Sequence, residues 1–490
     1  MSFPDWVLKF KQKNTELRLI RGKYYLYKVS SIWDKEKKRA RKISGEMIGR
    51  ITEEEGLVPK GTKKTKSDIP PNPINICTKE YGASSFLQTS VPNLATKLQE
   101  HFPNEWQQII TLATQRLIYS APLKSMAFLY EESYLSEIYQ NLDISKNTLT
   151  SFMQSIGQNR EKIADFMKNF VDGSTQLVFD VTNVSSKSKL VKASAVGYNS
   201  NKGFESQVNL FYVFSTDKQL PVYYRIFPGN ITGVKALKNC MRETGAKDIL
   251  AIGDKGFYSK DNAKELDENG INYIFPLKRD SALISYDRLS SRDYKHAFDG
   301  HFFFNDRVIF YNTQEVIEKD INYVSKKVTV FYDKSLALDE EKSYLRNIQN
   351  KVEGYNMDGY MAKQLRFGTM SMITNVITLS PQKIYENYKS RMEIETLFDS
   401  YKNLLGADKT YMQSDNAMEA WMFVNHISMI MYYDLYNRLK AKELLSHLSP
   451  ADIITRLSRI NKIKIAGTWY LSEINTKTLK LLKNLNIHIT

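Results

Sequence analysis

Cysteine is nearly absent: only Cys77 and Cys240 occur among 490 residues. That excludes a disulfide framework and gives no support to a cysteine-based zinc site. The six histidines are scattered without metal-ligand spacing and read as ordinary surface or core residues. Long apolar runs are missing too. The most apolar stretch, Ala420 to Tyr436, is interrupted by Asn425, His426 and Asp434, so it reads as a core helix and not a membrane span. The opening Met1-Ser2-Phe3-Pro4-Asp5-Trp6 has no signal-peptide core. A cytoplasmic protein with no membrane partner is expected. No internal repeat is evident.

What is abundant is positive charge. Lys and Arg number 69 against 54 Asp and Glu, a net +15. Such a balance points to a polyanionic partner, because phosphate neutralisation supplies much of the affinity for DNA. Net charge bears on partners and solubility, and says nothing of fold. The length predicts about three domains.

Three acidic residues stand in informative places. Gln176-Leu177-Val178-Phe179-Asp180-Val181-Thr182-Asn183 has strand composition and carries Asp180 inside it. A carboxylate in an apolar strand is costly to bury unless paired or metal-bound. Ile249-Leu250-Ala251-Ile252-Gly253-Asp254 reads as a short, fully buried strand ending in Asp254, followed by a Gly-containing turn. Ligands collect at the carboxyl ends of strands in open α/β sheets, although a lone Asp beside Gly also serves as a turn residue or helix cap. The third acid lies on a predicted helix from Tyr388 to Lys402, with Arg391, Glu395 and Lys402 lying 3, 7 and 14 residues beyond Tyr388. On a uniform helix those four project within roughly 60° of one another. The apolar stripe of Ile394, Leu397, Phe398, Tyr401, Leu404 and Leu405 lies a quarter-turn away, and Glu393 points to its far side. Glu395 is the candidate of the two. Read alone, Arg391 and Glu395 are a surface ion pair worth a few tenths of a kcal/mol.

The Tyr-x2-Arg-x3-Glu-x6-Lys spacing, with Asp180 and Asp254 upstream, resembles the signature of bacterial insertion-sequence transposases of the DDE type, the family-four group. The intervening Gln207 to Phe214 and Pro221 to Asn230 resemble that family's second and third strands, and Asn272 to Lys278 supplies a fifth. The resemblance implies an α/β fold: a ribonuclease H-like mixed five-stranded sheet flanked by helices, with an inserted mostly β domain and a small N-terminal β unit. The expected boundaries are 1–70 for an N-terminal β DNA-binding unit and 71–172 for a helical DNA-binding or packing region. The catalytic core takes 173–281 and 369–436, a β-rich insertion 282–368, and a C-terminal region with a dimer contact 437–490.

The resemblance also implies a function: cleavage at the terminal inverted repeats of a mobile element and strand transfer of its 3′ ends into target DNA. Asp180, Asp254 and Glu395 would be the catalytic acids and would hold two Mg²⁺ ions, with Mn²⁺ substituting; Asp180 would bridge both. Hard cations take oxygen ligands, and two of them serve an in-line phosphodiester displacement. Tyr388, Arg391 and Lys402 would position DNA. The partners implied are double-stranded transposon ends and target, with a homodimer in the synaptic complex, in a bacterial or archaeal cytoplasm and on the nucleoid when bound. The competing readings are a ribonuclease H-like nuclease without strand transfer and a domesticated DNA-binding protein that no longer cuts.

Toward the N-terminus, Glu16 to Ile20 and Lys23 to Val29 flank a turn at Arg21-Gly22, and Ile43 to Ile51 is a third predicted strand. Between the second and third lies a basic segment, Lys35 to Lys42, containing Lys37, Lys38 and Arg39 beside Trp33. A charge run of this kind is commonly a solvated loop; interleaved aromatics favour DNA contact. Pro59 to Pro73 is a polar connector.

Overall fold

The computed structural model describes residues 3–35, 37–60, 76–186, 188–198, 204–230, 233–245, 248–290, 298–317 and 325–490. Most of the predicted connector, residues 61–73, lies outside the described residues. The chain divides into a small unit, Met1–Ile76 with Ile465–Thr468, and a large one, Cys77–Lys464 with Trp469–Thr490.

The small unit is an antiparallel meander of β1 (Thr15–Ile20), β2 (Lys23–Asp34), β3 (Arg39–Thr52) and β4 (Gly56–Pro59). Arg21 and Gly22 both take positive φ, 49° and 75°, the backbone that a two-residue hairpin turn requires. Val7, Leu17, Leu26 and Ile51 form its core, ringed by Phe3, Trp6 and Phe10. β1 reaches only Lys28 of β2, and β4 only Gly49–Thr52 of β3. The rest of the β2–β3 pair therefore projects as a two-stranded arm, with Ile32 and Trp33 exposed. Half of the basic segment expected between strands, Arg39 to Lys42, is strand: Asp34 pairs with Arg39, Trp33 with Ala40 and Ser31 with Lys42.

In the large unit, a mixed sheet runs through a single core. Its middle consists of β9 (Leu220–Pro228), β8 (Phe204–Ser215), β6 (Gln176–Ser186), β10 (Leu250–Ile252) and β11 (Asn272–Leu277), side by side in that order. β8 is antiparallel to both β9 and β6, whereas β10 is parallel to both β6 and β11. β7 (Ala195–Tyr198) continues alongside β8 past the end of β9. Beyond β11 the sheet continues, all antiparallel, through β15 (Thr369–Thr374), β14 (Ser325–Asp333), β13 (Arg307–Ile317) and β12 (Gly300–Phe304). Asn305 and Asp306, at φ 45° and 60°, make the tight β12–β13 turn, as the Asn-Asp pair between two aromatic runs predicts. β5 (Ile76–Glu80), β16 (Asn461–Ile465) and β17 (Thr468–Leu471) form a separate sheet.

The helices cover the sheet. The longest, Asp415–Ala441, is capped by Ser414 and buries Trp421, Phe423, Ile427, Met431 and Tyr433 among others. It packs on β9 and on the helices Trp106–Tyr119 and Lys146–Gln158. Among the described residues, no helix is long and apolar enough to cross a membrane.

Candidate active site

The two aspartates owe their proximity to strand register. β6 and β10 run parallel, and their last paired residues are Val178 and Ile252. Asp180 and Asp254 each stand two residues further on. Because side chains alternate faces with a period of two, both carboxylates leave the sheet on the same side and at the same level. Gly253 is required here: a Cβ on it would lie 2.9 Å from the Phe275 ring and 3.1 Å from Phe257. After Asp254 the chain turns, with Phe257 N–H donating to the Asp254 carbonyl at 2.9 Å, and it then enters the Lys260–Glu268 helix.

Across the sheet Asp180 pairs with Tyr212 of β8, so the two share a face. The Tyr212 ring packs against Phe398 and Tyr401, with centroids 6.3 and 6.1 Å away. The helix that carries Glu395 is thereby seated over the face from which Asp180 emerges. That helix is not the uniform one the spacing predicts. It is a Pro381–Lys389 helix, a joint at Ser390 and Arg391, a Met392–Asp399 helix, and a π-helical turn over Ser400–Leu404. Arg391 N–H bonds to Tyr388 O, and Ile394 N–H to Arg391 O, each at 3.0 Å. These i to i−3 bonds overwind the joint, and the π-turn then unwinds it. Arg391 is thus carried inward.

Asp180, Asp254, Glu395, Arg391 and Tyr388 come together. Arg391 Nη1 donates to Asp180 Oδ2 at 2.7 Å, and Nη2 bonds to Glu395 Oε1. Asp180 Oδ1 accepts the N–H of Val181 at 2.8 Å. Arg391 and Asp180 are well buried, with side chains 16 % and 18 % exposed, while Glu395 is 51 % exposed. Burial pushes the Asp180 carboxyl up to about 6; Arg391 opposes this, and the negative charges of Asp254 and Glu395 add to it. Burial alone would lower Arg391, but the surrounding acids and Tyr388 hold it up. The Tyr388 phenol is raised by burial, against the pull of Arg391.

Lys402 stands apart. It is lowered by burial and has Asp408 as its charged neighbour. Glu393 turns to the other side, as expected, and pairs with Lys440 at 2.8 Å. Lys37, Lys38 and Arg39 belong to the small unit.

A groove of about 560 Å³ opens beside Asp254, lined by Lys255, Lys278, Arg279, Tyr388 and Ser371 among others. Arg279 is committed to Glu340 at 2.8 Å. Lys255 and Lys278 went unnoticed in the sequence, although Lys255 follows Asp254 three residues past the end of β10 and Lys278 directly follows β11. Position at the carboxyl end of a strand was the signal that could have found them.

Three carboxylates from separate elements are a donor set suited to a hard divalent cation. As the side chains stand, the Arg391 guanidinium lies between Asp180 and Glu395. Among the described residues, no three Asp, Glu, His or Cys converge closely enough to hold an ion. The donor chemistry suits such an ion, although the carboxylates as placed do not converge on one.

Comparison with known proteins gives one family match: a model described as Transposase DDE domain covers residues 172–431, more than half of the chain. Among solved structures, a piggyBac transposase synaptic complex with hairpin DNA is similar at 9 % identity and a TM-score of 0.38, over 72 % of this chain and 69 % of that one. No curated protein matches.

Proposed function

We infer that this chain, which belongs to the transposase DDE domain family, is the transposase of an insertion sequence of the family-four group. It cuts at the element's terminal inverted repeats and joins the freed 3′ ends to target DNA. The observation that carries the reading is the register that sets Asp180 and Asp254 side by side, with Glu395 tied to Asp180 through Arg391. The order β9-β8-β6-β10-β11, with β8 antiparallel and β10 and β11 parallel to β6, supports a ribonuclease H-like core. On this reading residues 173–281 and 369–436 form that core, 282–368 an insertion and 71–172 a helical packing region. Lys37, Lys38 and Arg39 grip a transposon end from the 1–70 unit, and two copies pair across the two ends through 437–490.

Asp180, Asp254 and Glu395 would hold two Mg²⁺ ions, or Mn²⁺ in their place. When bound, such a pair activates the attacking hydroxyl or water and relieves charge on the leaving oxygen. The protein's own contribution is orientation. Lys255 and Lys278 place phosphates in the groove beside Asp254, and Tyr388 packs against the strand they hold. Arg391, with its planar fork, takes a phosphate bidentately. Burial of Asp180 keeps bulk water from the inner side of the site.

The test is cleavage of a labelled duplex carrying the gene's own flanking DNA, in Mg²⁺ or EDTA, by wild type and Asp254→Asn. Mg²⁺-dependent nicking at the element boundary that the variant lacks is the expected result. Equal cutting by the variant would remove Asp254 from the chemistry, and cutting in EDTA would remove the metal.

A further inference from the structure

Arg391 holds two of the three carboxylates that the reading above assigns to metal. Its two terminal nitrogens go to different acids, Nη1 to Asp180 at 2.7 Å and Nη2 to Glu395. The remaining oxygen of Asp180 is engaged by the Val181 N–H at 2.8 Å. Each Asp180 oxygen already accepts a hydrogen bond, and a divalent ion shared between Asp180 and Glu395 would compete with the guanidinium that bridges them.

The same guanidinium suits a second class of ligand. Planar and permanently charged, it binds a phosphate as readily as a carboxylate. Tyr388 is its neighbour one turn earlier and lines the groove with Asp254, Lys255 and Lys278. A DNA strand drawn into that groove by the lysines brings phosphates within reach of the joint. Arg391 leaves the chain at that joint, where two helices meet in overwound turns, and its side chain keeps 16 % of its surface exposed.

We propose that Arg391 couples DNA engagement to metal loading. Bridging Asp180 and Glu395, it withholds them from divalent cations, and a backbone phosphate draws it off to release both. Arg391 is a positioning residue in this role, and the inference rests on the metal-site reading above. Linkage makes the effect reciprocal: DNA tightens metal binding and metal tightens DNA binding by the same factor.

Mn²⁺ binding to the full chain tests it, read from the electron paramagnetic resonance of free Mn²⁺ and corrected for DNA alone. The protein is titrated with and without a short duplex already ending at the element boundary. Wild type should bind Mn²⁺ about tenfold tighter with the duplex, within the range usual for such coupling. Arg391→Gln should reach about that affinity without DNA and gain little from adding it. Arg391→Lys, able to reach one acid at a time, should fall between. The melting temperature of Arg391→Gln should also rise more with Mn²⁺ than that of wild type, which checks that the variant is folded and loaded. If both variants bind Mn²⁺ no more tightly than wild type without DNA, or if Arg391→Gln keeps the full gain from DNA, the coupling is overturned. Asp254→Asn separates the two layers. Mn²⁺ binding lost there but indifferent to Arg391 sinks the coupling alone, whereas Mn²⁺ binding unaffected by Asp254→Asn sinks the metal site and the coupling with it.

Discussion

Two charged clusters inside the large unit look alike by composition and differ in balance. Around Arg160, two arginines meet two glutamates: Arg160 pairs with Glu419 at 3.1 Å and Glu243 at 3.4 Å, and Arg225 also bonds to Glu243. Arg160 further donates to Tyr223 Oη at 3.0 Å and Tyr224 O at 2.8 Å, and Tyr224 Oη donates to Glu419 at 2.8 Å. Around Asp180, one arginine faces three acids, with Lys389 at the rim shared between Asp333 and Glu395. The first cluster closes its charges and fastens the Arg160–Val171 helix to β9 and the long helix. The second leaves a surplus of negative charge, and surplus of that kind attracts cations. Buried ion pairs add little net stability and are costly to break, so charge balance separates a fastening from a working site better than burial does.

The sharpest way to break the comparison is to neutralise one member of each cluster. Asp180→Asn should lower DNA cleavage by about a thousandfold or more, since metal contributes several kcal/mol of charge stabilisation and each 1.36 kcal/mol is tenfold. Its melting temperature should hold or rise, because the substitution removes a carboxylate crowded by two others. A fall in stability with cleavage intact would reverse the two assignments. Arg160→Met should do the opposite, destabilising the large unit by about 3–5 kcal/mol in urea unfolding through the glutamates left uncompensated. Whatever fraction stays folded should still cut.

Acid should strain the balanced cluster through His426. This fully buried ring hydrogen-bonds to Tyr212 Oη at 2.8 Å and packs on Tyr224. Burial, then the Arg160 charge, takes its pKa from 6.5 down to about 3. The unfolded chain therefore binds a proton below pH 6.5 that the folded one refuses. Stability is complete above that pH and is lost on acidification toward 3, at up to about 1.4 kcal/mol per pH unit. His426→Gln should flatten the fall in melting temperature between pH 6.5 and 4; an unchanged slope would place the acid sensitivity elsewhere. The smallest effect belongs to the groove. Changing Lys255 and Lys278 together to Ala should reduce the salt slope of DNA binding by about two, one per phosphate contact, with melting unchanged. An unaltered slope would leave the groove without a phosphate role.

Much of this site was legible in the sequence, because its parts obey local rules. An acid inside an apolar strand at 180 and another at the end of a four-residue apolar run predict β6, which extends three residues beyond the predicted Asn183, and β10, which starts one residue later than the run. Helical periodicity chose Glu395 over Glu393; in the structure Glu395 pairs with Arg391 and Glu393 with Lys440. What stayed hidden is tertiary. Arg391 and Asp180 are 211 residues apart, and no periodicity couples them. The joint and the π-turn that aim Arg391 inward depend on packing against Tyr212 and the long helix, which a uniform 100° per residue does not foresee. The Arg160 cluster joins four elements, none of whose own patterns marks it. Lys255 and Lys278 looked like two more charges in a chain rich in them.

The matched register of β6 and β10 divides the molecule into places where length is free and places where it is not. The two aspartates are 254 − 180 = 74 residues apart along the chain, yet their separation in space is set by the spacing of neighbouring strands, about 4.8 Å. Insertions in the loops between Ser186 and Leu250 leave that spacing alone, whatever their size. One residue added between Val178 and Asp180, or between Ile252 and Asp254, sends a carboxylate through the sheet to the opposite face. The chain can grow between its two acids and cannot grow by a single residue next to either.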